Sequence, residues 1–362
     1  MKVTFSVALL FLVAAFAFLQ APGEAAPRAN EPTPQLVIDA HVDPGWRILD
    51  FQQSLAEPDD GQVGIPQWRA GGLNVVWVAI WVDPRRYAGP EALRRADALI
   101  DAVTADISRN SKDLVLCRTS RECLAAAQRR KIAILLGLEG GEPLLNSPEM
   151  VDYFWRKGVR RITLTWRGDM AWAGSSQQWD QTPVRSPKGL SDLGRRIIER
   201  MNMRGIVVDL SHTSELTAHQ ALEISRYPCI FSHSNCSALC QHPRNVSDDL
   251  LKQLAANGGV IGVNFHSKFL VRRSPFSLRA ASIEDVVEHI EHIRKVAGID
   301  HVGIGSDWDG DILPARGLED ASKLPSLWQA LRNRGYSPED ISKIAGGNFF
   351  RVLQANEAEL SR

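Results

Sequence analysis

Short apolar runs alternate with amphipathic segments along almost the whole chain after residue 35. Eight of the runs have the composition of β-strands: residues 36–40, 74–80, 132–138, 161–165, 205–210, 229–231, 260–265 and 301–306. Most are apolar without interruption, as in parallel strands that are covered on both faces. Seven segments have the helical period and a charged face: residues 89–108, 120–130, 147–157, 191–203, 214–225, 247–256 and 283–297.

This alternation predicts an α/β protein with a single (β/α)8 barrel of the TIM type. Two doubly wound domains are the alternative, but no linker rich in Pro, Gly or Ser divides the chain. Several of the helical segments start at a serine, a favoured N-cap residue. Residues 337–353 predict a helix, a turn and a short helix that close the barrel.

The N-terminus, residues 1–26, has the features of a secretory signal peptide. Lys2 precedes the apolar residues 3–19, and small residues follow, with Gly23 and Ala25 suited to cleavage after Ala25 or Ala26. An uncleaved membrane anchor is the alternative, because the apolar run approaches the ~20 residues that span a bilayer. We therefore expect a mature domain of residues 27–362 that is secreted or periplasmic, without a stable membrane anchor after cleavage.

Charge and cysteine content limit the partners of the chain. The 42 Lys and Arg residues balance the 42 Asp and Glu residues, and no polybasic run is present. This balance argues against nucleic acid or an anionic membrane surface as the main partner. The five cysteines are an odd number, so at least one thiol is free or intermolecular. Cys117 and Cys123 are candidates for a disulfide, but the sequence does not reveal the connectivity.

Residues with metal-binding side chains follow five of the predicted strands. Reactive residues of a (β/α)8 barrel lie at the C-terminal ends of its strands. The side chains in question are His41, Asp43, Glu139, His212, His233 and Asp307. Imidazole and carboxylate are the ligands of zinc and similar divalent ions. Each short motif is weak by itself, but their joint placement predicts a metal site at this end of the barrel.

These motifs resemble those of the membrane (renal) dipeptidase family of metal-dependent hydrolases. The resemblance covers about residues 37–350 and rests on the segments 38–43, 62–72, 137–141, 205–214, 230–234, 244–246 and 301–310. It implies a homodimer that acts on small dipeptides with two zinc ions per chain. The implied roles are one ion on His41 and Asp43, the other on His212 and His233, and Glu139 between them. Arg244 would pair with the substrate's terminal carboxylate, and Asp307 would carry the proton.

Elementary chemistry is consistent with these roles. Two cations ~3.5–4 Å apart need a bridging carboxylate, and a water between them is acidified to hydroxide, the expected nucleophile. Asp307 then takes the proton and passes it to the leaving amine. The planar fork of Arg244 suits a carboxylate. A loop salt bridge from Arg244 to Asp248 or Asp249 is the alternative.

One residue departs from the family pattern. Many members have His after the fourth strand, where this chain has Trp166, followed by Arg167 and Asp169. An indole can donate a hydrogen bond but binds no metal, so we expect Trp166 to contact substrate or form the pocket wall, with packing at the barrel mouth as the alternative. Arg167 or Asp169 is a candidate to contact the substrate in place of Trp166.

The expected function is that of a zinc-dependent dipeptidase which tolerates a C-terminal D-residue, the tolerance being implied by the resemblance alone. An N-acyl amino acid amidohydrolase on the same binuclear site and a non-catalytic metal-binding protein are the alternatives. Among the other histidines, His266 is a candidate for the pocket wall. His289 and His292 are expected on an exposed helix face.

Overall fold

The computed structural model describes residues 36–57, 61–177, 186–272 and 280–357. The predicted signal peptide, residues 1–26, and the proposed boundary after it lie outside these ranges. None of the helices within them has both the length and the apolar character needed to cross a bilayer.

Eight parallel strands form a nearly closed barrel, which confirms the predicted (β/α)8 fold. Including a ninth strand outside the barrel order, the described strands are β1 Ile38–Val42, β2 Val75–Trp81, β3 Leu114–Leu116, β4 Ile132–Glu139, β5 Val159–Thr163, β6 Val207–Asp209, β7 Ile230–Ser234, β8 Val260–Val263 and β9 Val302–Ile304. The barrel order is β1-β2-β4-β5-β6-β7-β8-β9. A parallel bridge between Val42 and Trp308 connects the first strand to the segment after the last.

Helices follow most of the strands and cover the barrel. The described helices are α1 Gly45–Asp50, α2 Ile65–Gly71, α3 Pro90–Arg109, α4 Ser120–Gln128, α5 Glu149–Arg156, α6 Asp192–Met203, α7 Glu215–Ile224, α8 Asp248–Ala256, α9 Ser267–Leu270, α10 Ile283–Ala297, α11 Leu324–Asn333, α12 Pro338–Ser342 and α13 Asn348–Glu357. Serine hydroxyls accept hydrogen bonds from the first turns of several of them, among them Ser191, Ser214, Ser247 and Ser337. These side chains satisfy backbone N–H groups that the helix itself leaves without a partner.

Strand β3 is absent from the sequence-based prediction. It has three residues and pairs only with the N-terminal half of β4, with Leu114 opposite Ile132. The barrel neighbour β5 takes the C-terminal half of β4 instead. A run this short lacks the length by which an apolar strand is recognised.

The C-terminal tail closes the barrel, as predicted, and packs at its N-terminal end, but the two helices are joined without a break in the helical backbone. Residues Lys343–Gly347 form a π-helical turn that continues α12 directly into α13. A side chain at Gly346 would lie 2.6 Å from the carbonyl oxygen of Leu36, so the glycine allows close packing. Phe349 packs against Gly303, and α13 contacts β1, β6, β8 and β9.

Candidate metal centre

The C-terminal ends of five barrel strands place the predicted ligands and proton carrier together. Each of these residues lies within, or at most three positions after, β1, β4, β6, β7 or β9. Their side chains are at most 14% exposed. The residues are His41, Asp43, Glu139, His212, His233 and Asp307.

Two of these residues have strained backbones. His212 has φ 68° and Asp307 has φ 66°, in the left-handed region that side chains with a Cβ rarely adopt. Each conformation costs free energy and persists only where the surrounding structure holds it. Such strain is typical of residues whose side chains must point into a functional site.

Glu139 presents one carboxylate oxygen to each of two groups of side chains. Its Oε1 lies 3.0 Å from Nε2 of His212 and 3.5 Å from Nε2 of His233. Its Oε2 lies 3.6 Å from Nε2 of His41, which is 3.0 Å from Oδ2 of Asp43. Glu139 therefore lies between a His–Asp pair and a His–His pair.

This donor set fits a divalent metal centre. Within each of three overlapping groups, the donor atoms lie within 4.8 Å of one another. The groups are His41 with Asp43 and Glu139, Glu139 with His212 and His233, and His41 with His233 and Asp307. The Nε2 atoms of His212 and His233 are 3.0 Å apart, a convergence of nitrogen donors that a shared cation explains. Imidazole with carboxylate is a ligand set that zinc prefers.

The histidines differ in their charge state. Burial, with the nearby Arg244 charge, lowers the pKa of His212 to about 3, and burial also holds the pKa of His233 well below its usual value. Both imidazoles are therefore neutral at pH 7, as metal ligands must be. Burial would also lower the pKa of His41, but the carboxylates of Asp43 and Glu139 outweigh it and raise that pKa to about 10.

Asp307 lies beside the ligand residues in a position suited to proton transfer. Its Oδ1 is 3.9 Å from Nε2 of His41, and its Oδ2 accepts a hydrogen bond of 2.8 Å from Nδ2 of Asn264. Burial, reinforced by the charges of Asp43 and Glu139, raises the pKa of Asp307 to about 8. A carboxyl group that titrates near neutral pH can act as both acid and base.

Buried polar residues beneath the site hold the candidate ligands in place. Ser232 donates to Asp209 at 2.6 Å, and its hydroxyl lies 2.7 Å from Nδ1 of His233. Arg161 is fully buried and extends from β5 to Asp209 at 3.2 Å and to Nδ1 of His41 at 3.1 Å. Sequence analysis missed the role of these residues and of Asn264. The available signal was polar residues within, or directly after, otherwise apolar strands.

Arg244 is 3% exposed and is held against the strand that carries His233. Its Nη2 donates to the carbonyl oxygen of His233 at 3.0 Å, and its Nη1 donates to Oγ of Ser234 at 3.3 Å. The guanidinium also lies over the Phe269 ring, 5.5 Å from the centroid. Burial lowers the pKa of Arg244 only to about 10, so it stays cationic at neutral pH.

The alternative salt bridges of Arg244 are not formed within the described ranges. Asp248 lies 2.7 Å from Nε2 of His292, and Asp249 lies 3.6 Å from Nζ of Lys252. Arg244 instead lines the cavity at the mouth of the barrel.

The cavity has a volume of about 600 Å³ and opens onto the predicted ligands. Trp166 lines it and packs edge-on against Trp81, with ring centroids 4.9 Å apart. The Trp166 ring is also 6.1 Å from the His212 ring. Trp166 therefore forms part of the cavity wall beside the candidate ligands. His266 lines the same cavity, as considered in the sequence analysis.

Two sequence-based expectations need correction. His289 is 1% exposed, not on an exposed face, because its Nδ1 accepts from the Cys236 amide and its Nε2 contacts the Leu270 carbonyl oxygen. The thiols of Cys117 and Cys123 contact each other, but all five cysteines are buried and free.

Known proteins are similar to this chain in both sequence and fold. A family model for membrane dipeptidase, peptidase family M19, matches residues 32–361. The chain is 40% identical over 299 residues to dipeptidase verJ of Clonostachys rogersoniana, which covers 80% of this chain and 74% of that protein. It is also 40% identical over 320 residues to an uncharacterized dipeptidase of Schizosaccharomyces pombe, covering 85% of this chain and 74% of the relative.

Two solved structures extend this similarity to the fold. The probable dipeptidase PvdM of Pseudomonas aeruginosa superposes with a TM-score of 0.83 at 23% identity, over 90% of this chain and 96% of that one. A metallo peptidase of Rhodobacter sphaeroides, liganded with a phosphinate mimic of the dipeptide L-Ala-D-Ala, has a TM-score of 0.82 at 25% identity, over 89% and 99%. Since the family model spans nearly the whole chain, the chain belongs to the membrane dipeptidase family, peptidase family M19.

Proposed function

We propose that the chain is a zinc-dependent dipeptidase that binds two zinc ions. His41 and Asp43 would hold one ion, His212 and His233 would hold the other, and Glu139 would be a ligand of both. The observation that carries this proposal is the placement of Glu139, whose two oxygens face different histidines. Family membership and the relatives named dipeptidase support the substrate class.

When bound, the zinc ions would acidify the attacking water to hydroxide and polarise the scissile carbonyl. The proton is handled by Asp307. Asn264 holds Oδ2 of that carboxyl group, so Oδ1 is left towards the ligand residues. From there Oδ1 takes the proton of the attacking water and gives it to the leaving amine.

Arg244 binds the terminal carboxylate of the substrate. The guanidinium lines the cavity and is fixed from behind by the His233 carbonyl and the Ser234 hydroxyl. A preorganised planar fork binds a carboxylate by two parallel hydrogen bonds. Trp166 limits the cavity on the side of His212.

The proposed binding mode of Arg244 supports tolerance of a C-terminal D-residue. Arg244 binds the carboxylate, which L- and D-residues share, and makes no demand on the side chain. The relative from Rhodobacter sphaeroides was solved with a mimic of L-Ala-D-Ala. We extend the same tolerance to this chain.

Metal content and hydrolysis, measured on one preparation, test the proposal. The purified protein should contain two zinc ions per chain and hydrolyse L-Ala-L-Ala and L-Ala-D-Ala. Chelation should abolish the activity, and added zinc should restore it. Turnover of N-acetyl-L-alanine without turnover of any dipeptide would instead support an N-acyl amino acid amidohydrolase. Bound metal with no turnover of either substrate class would support a non-catalytic protein.

A further inference from the structure

One end of the cavity is strongly cationic. Arg244, Arg167 and Lys268 line it together with His242. Burial and the charges of Arg244, His266, Lys268 and Arg167 together lower the pKa of His242 to about 4. Arg244 and His242 lie together beside the Phe269 ring, at 5.5 and 4.5 Å from its centroid, and Phe269 directly follows Lys268 in the chain.

Arg167 has no role in the proposed reaction, and the described parts of the chain provide it with no carboxylate partner. Its guanidinium lies over the Trp166 ring, 5.0 Å from the centroid. Its Nε is buried without a hydrogen-bond acceptor among the described residues. The nearby Asp169 accepts hydrogen bonds from the Ser175 amide and the Ser186 hydroxyl instead.

Another arginine of the cavity does have a carboxylate partner. Arg85 also lines the cavity, but its Nη2 lies 2.8 Å from Oδ2 of Asp83. Arg167 has no such carboxylate among the described residues, so its guanidinium can pair with a carboxylate of a ligand that enters the cavity.

Among the described residues, no carboxylate of the cavity forms an ion pair with Arg167 or Lys268. Asp43, Glu139 and Asp307 lie with the candidate metal ligands, and Asp309 pairs with Arg47 at 2.6 Å. The remaining carboxylate, Asp311, belongs to the segment that follows β9. With Arg244 bound to the terminal carboxylate of a substrate, Arg167 and Lys268 remain available for a second negative charge.

We propose that Arg167, assisted by Lys268, makes the enzyme select dipeptides whose C-terminal residue is Asp or Glu. This proposal rests on the proposed dipeptidase function. The α-carboxylate pairs with Arg244, and the side-chain carboxylate accepts charge-assisted hydrogen bonds from the guanidinium of Arg167. Stacking on Trp166 holds that guanidinium flat, which lowers the entropy lost on binding.

The test compares kcat/KM for L-Ala-L-Glu with that for L-Ala-L-Gln, which has the same shape without the charge. We expect a Glu/Gln ratio of ~10 or more in the wild-type enzyme, since a charge-assisted hydrogen bond is stronger than a neutral one. The ratio should fall to ~1–2 in Arg167→Gln and by a smaller factor of ~3 in Lys268→Gln, whose side chain is more exposed. The control Arg121→Gln, on α4 and outside the cavity, should retain the wild-type ratio.

The outcomes separate the two proposals. Hydrolysis of L-Ala-L-Ala with a wild-type Glu/Gln ratio near 1 would overturn the acidic preference and leave the dipeptidase function intact. A high ratio that is unchanged in Arg167→Gln would overturn the role of Arg167. Failure to hydrolyse any dipeptide would overturn both proposals. The wild-type ratio requires no variant, so the test stands even where Arg167→Gln does not fold.

Discussion

Arg47 and Asp309 form a buried ion pair that connects α1 to the segment after β9. Both Nε and Nη2 of Arg47 donate to Oδ2 of Asp309, at 2.9 and 2.6 Å. Oδ1 of Asp309 accepts from the Gln62 amide at 2.8 Å. Burial raises the pKa of Asp309 despite the arginine, so the pair gains little net free energy. Because Asp309 lies two residues after Asp307, the pair positions the segment that carries the proposed proton carrier.

Arg47→Met should destabilise the protein strongly, because it leaves the Asp309 carboxylate buried without its partner. The expected loss in the free energy of unfolding is about 3–5 kcal/mol, measured by urea denaturation. Arg69→Met is the matched control, since the Arg69–Asp113 pair is 41% and 36% exposed and should contribute less than about 1 kcal/mol. Equal losses in the two variants would contradict this view of the Arg47–Asp309 pair.

The barrel could be predicted from the sequence because its strands are apolar on both faces, a local property. The placement of His41 and Glu139 at strand ends followed from the same pattern. The prediction ended β7 at residue 231, whereas the strand continues to Ser234 and contains His233. The last residues of this strand are polar because the site requires polar side chains there. They therefore do not continue the apolar pattern by which the strand is recognised.

The supporting residues could not be predicted, because their partners come from distant parts of the chain. Arg161 is charged and lies in a strand, yet it is fully buried beneath the site where it contacts Ala40 and Asp209. Asn264 contacts Asp307 only because β8 and β9 are adjacent in the barrel. Such contacts depend on barrel closure and register, which no local window of the sequence contains.

Glu139→Gln should lower the zinc content and abolish the activity. The amide keeps the shape of the side chain but loses the negative charge that two adjacent cations require. We expect fewer than two zinc ions per chain by elemental analysis. Glu142→Gln, on the single turn that follows β4, is the control and should retain both ions. Full zinc content in Glu139→Gln would contradict the shared-ligand assignment.

Zinc binding should release protons at pH 7. Without metal, the pKa values of His41 and Asp307 are about 10 and about 8, so both groups are protonated at pH 7. His212 and His233 are already neutral and release none. Calorimetry in buffers of different ionisation enthalpy should therefore detect one proton from His41, because a ligand must be deprotonated, and one from Asp307, whose carboxyl group lies beside the bound cations, in addition to the proton of the water that becomes hydroxide.

The number of released protons should also depend on pH. At pH 9 the Asp307 carboxyl is already ionised in the metal-free protein, so the release should be smaller than at pH 7 by about one proton. Asp307→Asn should lower the release by about one proton already at pH 7. A binding enthalpy that does not depend on the buffer would contradict the protonated state of His41.

Asp307→Asn should abolish turnover while the metal stays bound. Asparagine tolerates the left-handed backbone of this position, φ 66°, so the change removes the acid–base function with little added strain. Loss of a general acid–base residue lowers kcat by about 10²–10⁴-fold. Asp311→Asn is the control, because Asp311 has a similar φ of 57° and lines the same cavity without contacting the candidate ligands. Two zinc ions in Asp307→Asn together with wild-type kcat would show that another group carries the proton, whereas loss of zinc would make Asp307 a ligand of the His41–His233 group instead.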